Sequence, residues 1–136
     1  MRRWMIAGNW KMHNNKSEAV LLAKAIKEGT QGISGGDVVL APPFTALQSV
    51  YETIVDSHVL LAAQNMYYED KGAFTGEISP SMLKDIGCTY VIIGHSERRK
   101  YFHETDEAVN QKVKKSLATG IKPIVCVGET EDERNK

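Results

Sequence analysis

Short apolar runs without alternation set the narrowest limit on what this chain can fold into. Val38–Ala41 (VVLA), Tyr90–Ile93 (YVII) and Ile124–Val127 (IVCV) are unbroken. A strand with one wet face alternates apolar and polar residues, so unbroken runs point to parallel strands covered on both faces. Trp4–Ala7 and Val59–Ala63 complete the strand candidates. Between them lie longer amphipathic stretches. Ser17–Glu28 takes Ser17 as its N-cap and stops before Gly29; Thr45–Val55 follows Pro42-Pro43. Ser79–Ile86 opens on a cap-then-proline pair and stops at Gly87, and Asp106–Thr119 stops at Gly120. The polar residues Glu129–Lys136 can begin another helix.

Strand and helix alternate, so the chain reads as one α/β domain over residues 1–136 with right-handed crossovers. The alternation admits an open doubly wound sheet or part of a closed eight-stranded barrel. Neither GxGxxG nor GxxxxGK[ST] follows any strand, which weakens a nucleotide-binding reading. A response-regulator reading lacks an acidic cluster at the end of the first strand.

Charge narrows the partners. Lysine plus arginine (17) balance aspartate plus glutamate (17), so no global field draws the chain to nucleic acid or an anionic membrane. Any anionic ligand must be held by local devices. Cys88 and Cys126 form no CxxC and no histidine stands at metal spacing, so no metal site is expected. Both read as reduced, buried thiols of a cytoplasmic protein. Trp4–Ala7 is too short for a signal-peptide core, and no segment approaches the length of a membrane span.

Tyr90–Arg99 (YVIIGHSERR) is the most chemical-looking stretch. It sets His95 at the carboxyl end of a strand and the amino end of a helix, facing unpaired backbone N–H groups and the positive end of the helix dipole. Both disfavour the imidazolium, so the ring is expected to be neutral and to act as a donor. Asn9 and Lys11 stand two residues apart, so on an extended segment they project to one side. A compact lysine cation there suits an anionic ligand.

GNWKM (Gly8–Met12), GAFTGEIS (Gly72–Ser79), GHSERR (Gly94–Arg99) and CVGET (Cys126–Thr130) occur in this order, and together they closely resemble the triosephosphate isomerase family. The resemblance implies a (β/α)8 TIM barrel, here as roughly half a barrel, with its site at the carboxyl ends of the strands. It also implies a homodimer that interconverts dihydroxyacetone phosphate and glyceraldehyde 3-phosphate without a cofactor. Carried over by position, His95 matches the family's electrophile, Asn9 and Lys11 its substrate-binding pair, and Glu97 its acidic neighbour; the resemblance makes Lys11 catalytic too, a compact cation for the phosphate dianion and the developing enediolate. Whether Glu97 acts in catalysis or positions Lys11 stays open at this point. Phe74 and Thr75 match the tip of an interface loop that supports the neighbour's Asn9 and His95.

The remaining candidates read as structural. Arg98, Arg99 and Glu129 suit ion pairs, His13, His58 and His103 have no matching partners, and Met66, Tyr67 and Tyr68 suit packing or a loop. A full barrel takes roughly 250 residues. The family's base glutamate, on a lid after strand six, and its phosphate-binding amides after strands seven and eight are not among these 136 residues. The 136-residue chain is therefore expected to have little or no isomerase activity. Its first and fifth strands should be free edges, and barrel-interior side chains should lack an opposite wall, so the half-barrel is expected to self-associate, bind a complementary fragment or stay partly molten. The other function class left open is a non-catalytic half-barrel used for binding or assembly.

Overall fold

The computed structural model describes residues 2–136. Five strands form one parallel sheet in chain order: β1 (Trp4–Asn9), β2 (Gly36–Ala41), β3 (Val59–Ala63), β4 (Tyr90–Ile93) and β5 (Lys122–Val125). The connecting helices are α1 (Lys16–Gly29), α2 (Leu47–Ile54), α3 (Pro80–Ile86), α4 (Ser96–Phe102) and α5 (Asp106–Thr119), with α6 (Glu131–Arg134) after β5. A single 3₁₀ turn, Phe44–Ala46, leads into α2.

Two of the three unbroken runs, Val38–Ala41 and Tyr90–Ile93, are buried on both faces as the sequence suggests; the third, Ile124–Val127, is not, because β5 is an edge strand, and Val125 and Val127 are exposed. Val38, Leu40, Leu61, Val91 and Ile93 pack beneath the helices with Ala23, Leu47, Val50, Ile54 and Leu83. Their strand neighbours Val39, Ala41, Ala62, Tyr90 and Ile92 bury one another on the opposite, concave face. That second cluster corrects one expectation. The concave side chains of the central strands are covered without an opposite wall, because the curl of the sheet turns them onto each other. Tyr90 closes the lower end, donating to Asp37 Oδ2 across β3 at 2.6 Å. Residues of alternate strands share a layer in barrel sheets, which is why β4 can meet β2. The edges do remain open: β1 and β5 each have one strand neighbour, and Ile6 is 66% exposed.

Several boundaries differ from the expected ones. Helix α1 is capped by Asn15, not Ser17. The Asn15 side chain accepts from Glu18 N, and the Glu18 carboxylate accepts from Asn15 N, satisfying two orphan donors at once. Strand β5 begins at Lys122, two residues early, and includes Pro123; an edge strand can hold proline because its outer N–H needs no partner. The helix that starts after His95 and the one at Asp106–Thr119 are separate, and the short first one carries Glu97 and Arg98. Cys88 is buried, which pushes its thiol up to about 12, whereas Cys126 is only partly buried; both are free.

Gly87 ends α3 in the left-handed region (φ 109°), and a Cβ there would overlap the ring of Tyr51. The backbone conformation alone disfavours an L side chain by about 1–2 kcal/mol. Gly87→Ala is therefore expected to lower the urea midpoint without changing the m-value, and an unchanged midpoint would contradict the packing described.

Candidate active site

Three strand ends build one open cavity of about 440 Å³, lined by Asn9, Lys11, Gln64, His95, Glu97 and Arg98. Asn9 closes β1, Gln64 follows β3, and His95 stands just past β4. The site thus lies at the carboxyl ends of parallel strands, where barrel and α/β folds place their chemistry.

Lys11 reaches it by a route the spacing argument does not contain. The chain is not extended there: β1 ends at Asn9, and Lys11 adopts a left-handed conformation (φ 53°) rare for residues other than glycine. Two neighbours hold the turn. Asn9 Oδ1 accepts from Lys11 N at 3.0 Å, and Gln64 Nε2 donates to the carbonyls of Lys11 and Ala41, both at 2.9 Å. The Asn9 bond uses the amide's acceptor end and leaves its donor end for a ligand. Lys11 Nζ then donates to Glu97 Oε1 at 2.6 Å. That hydrogen bond, more than the ammonium's charge, holds the Glu97 carboxyl below the usual carboxylate range. The pair is half-exposed and adds little stability; its effect is to fix where the ammonium sits.

His95 caps α4 with its own ring, as Nδ1 accepts from Glu97 N at 3.1 Å. A nitrogen that accepts an N–H keeps its lone pair, so the ring proton is on Nε2, free to donate. The preceding residue is fixed as well. Gly94 N donates to Glu104 Oε1 at 3.0 Å, and Glu104 Oε2 accepts from Arg98 Nε at 2.7 Å and Lys112 Nζ at 3.1 Å. Lys112 also donates to Asn65 Oδ1 at 2.9 Å. Burial pushes the Glu104 carboxyl up, but hydrogen bonds from Arg98 and Lys112 outweigh it and leave the group below its ordinary value.

Phe74 and Thr75 do not line this cavity. Phe74 packs tilted against Tyr67, ring centres 4.8 Å apart, and Tyr67 stacks on Tyr68 at 4.3 Å, giving the 64–79 loop a small aromatic centre of its own. Thr75 is exposed beside Gly76 (φ 90°), in a turn closed by Glu77 N donating to Phe74 O. Arg99 pairs with Asp106, and Glu129 with Arg134 at 2.7 Å, as ion pairs. Arg98 has both an ion pair and a place in the cavity wall. His13 and His58 are exposed, and His103 ends α4. No group of histidines, cysteines and carboxylates suited to a metal ion occurs among the described residues, and none of their helices is long and apolar enough to cross a membrane.

Sequence reasoning misses Gln64, Glu104 and Lys112. Gln64 carries a readable signal, being a polar residue directly after an apolar strand run. Glu104 and Lys112 carry none.

Comparison with known proteins fits this geometry. The family model described as triosephosphate isomerase matches residues 4–136. The chain is 54% identical over 135 residues to the triosephosphate isomerase of Herpetosiphon aurantiacus, covering 99% of this chain and 54% of that protein. It is 56% identical over 134 residues to that of Endomicrobium trichonymphae, covering 98% and 54%. The crystal structure of triosephosphate isomerase from Bartonella henselae superposes with a TM-score of 0.92 at 38% identity, covering 98% of this chain and 55% of that one. The likeness decides between the open sheet and the barrel, and the five strands are part of a TIM barrel. The chain spans about half the length of the curated relatives it matches. A site built from Asn9, Lys11 and His95 on such strands, with this family match across nearly all its residues, shows that the chain belongs to the triosephosphate isomerase family.

Proposed function

We propose that this chain carries the electrophilic half of an isomerase site that interconverts dihydroxyacetone phosphate and D-glyceraldehyde 3-phosphate, a step of glycolysis and gluconeogenesis, with no cofactor or metal. The observation that carries the reading is the Lys11 ammonium and the His95 Nε2–H lining one cavity, each held by the backbone or side chains around it. His95 donates to the substrate carbonyl and stabilises the enediolate that forms when the carbon-bound proton leaves. Lys11 offsets the negative charge of phosphate and enediolate, and the Asn9 amide donates beside it. Glu97 positions Lys11; a carboxylate already bonded to an ammonium and held below its ordinary range is a poor base. A purely structural half-barrel would have no use for the left-handed turn at Lys11, which supports the enzyme over the scaffold.

The same reading makes the protein a cytoplasmic homodimer. In support, Thr75 is an exposed loop tip, and the cavity rim carries Met12, Phe44 and Phe102, all apolar and exposed. Nothing in the charge balance favours nucleic acid as a partner.

Adding dihydroxyacetone phosphate to the ¹⁵N-labelled 136-residue chain is expected to give saturable shifts at Asn9, Lys11 and Gly94–Glu97, and none there in Lys11→Met. Absence of saturable shifts at those residues would overturn the proposal. In a coupled assay the chain alone is expected to give no turnover above background. Among the described residues, the cavity carboxylates are Glu97, bonded to Lys11, and the exposed Glu77.

A further inference from the structure

Helix α5 meets the 64–79 loop at two places through lysines three residues apart, hence on one side of the helix. Lys115 Nζ donates to Asp70 Oδ2 at 2.7 Å on the surface. Lys112 is different: its side chain is 7% exposed, and its ammonium serves two carboxamide and carboxylate partners at once, Asn65 Oδ1 and Glu104 Oε2. An ammonium in such a place is costly unless fully paired, and an apolar side chain of like size would fill the space more simply. What the lysine adds is a connection. Asn65 is the root of the loop, and the other oxygen of Glu104 accepts from the N–H of Gly94, the residue before His95. Gly94 itself has little room to move, since a Cβ there would lie 3.0 Å from Val109.

We propose that Lys112 is a positioning residue that couples the placement of the 64–79 loop to that of His95, through Asn65 on one side and Glu104 and Gly94 on the other. Only the naming of His95 as a reacting group rests on the isomerase reading; the coupling itself is a property of the fold. Whatever bears on the loop, a second subunit included, then bears on the histidine.

Amide hydrogen exchange of the 136-residue chain tests this without substrate. Asn65→Ala removes only the loop arm of the joint. The Gly94 amide is expected to exchange roughly five- to tenfold faster, as for loss of about one net hydrogen bond, while Leu40 and Leu61 in the central strands are unchanged. Asn65→Asp keeps an acceptor and is expected to restore Gly94 protection. Lys112→Met leaves Glu104 partly unpaired and is expected to speed exchange generally, with Gly94 rising more than Leu40 and Leu61; if it does not fold, Asn65→Ala still decides. An unchanged Gly94 rate in Asn65→Ala overturns the coupling, and so does a uniform rise at Gly94, Leu40 and Leu61, the mark of plain destabilisation. Either result leaves the substrate titration above unaffected.

Discussion

Glu104→Ala is expected to destabilise the fold by about 3–5 kcal/mol, the usual consequence of removing one partner from a buried ionic network. The carboxylate side chain is 2% exposed and accepts from Arg98, Lys112 and the Gly94 amide, so alanine strands two cations and a backbone donor together. Against a total stability of roughly 5–15 kcal/mol for a domain, that loss decides whether the chain is folded at all. Glu104→Gln keeps an acceptor and should lose less. Urea unfolding of the two variants beside the parent protein measures both, and a midpoint for Glu104→Ala equal to the parent's would refute the network's weight. The acid limb gives a second check. The folded carboxyl titrates below its ordinary value of 4.5, so between the two values the unfolded chain binds more protons than the folded one. The stabilisation is therefore present above pH 4.5 and is lost as pH falls through the folded value. Glu104→Ala should flatten that limb in part. Asp37 keeps a share of it, since hydrogen bonds from Tyr90 and Arg3 also hold its carboxyl down.

Placed in an enzyme with the proposed activity, His95→Gln and Lys11→Met should each lower kcat/KM by roughly 10²- to 10³-fold, the range for deleting one preorganised donor to a developing oxyanion. The two should differ in kind. Lys11 meets a charge that the substrate already carries, so its loss should raise KM as well as lower kcat. His95 acts chiefly on charge that forms in the transition state, so its loss should fall on kcat. Gln64→Leu belongs beside them: it frees the Lys11 turn while leaving the ammonium in place. It should therefore produce a weaker form of the Lys11 effect. Steady-state kinetics on the three variants separate these outcomes, and wild-type kcat/KM in Lys11→Met would remove Lys11 from the site.

The sequence stretches that could be read are those whose physics is local. Val38–Ala41 and Tyr90–Ile93 are buried on both faces because every residue in them is apolar, and the count of apolar residues is visible in one dimension. Gly87 and Gly120 end their helices in the left-handed region where a stop signal was read. The cap of α1 is ambiguous in sequence because Ser17 and Asn15 are both good caps; only the reciprocal bond with Glu18 distinguishes them. The neighbourhood of Asn9 and Lys11 was legible, but its cause was not. An extended segment and a left-handed turn can deliver the same two side chains to one cavity, and the turn depends on Gln64, far away in sequence.

By itself, then, the sequence determined the strand and helix order, the two-faced burial of the central strands, and the position of His95 between a strand end and a helix start. These follow from periodicity and from capping chemistry within a few residues. Only the assembled fold brings the concave side chains of the central strands onto one another, lets Gln64 hold Lys11, and joins the loop root to Gly94 through Lys112 and Glu104. A buried charge is tolerable only where its partners converge, and those partners come from separate elements. No pattern in one of them could announce the others.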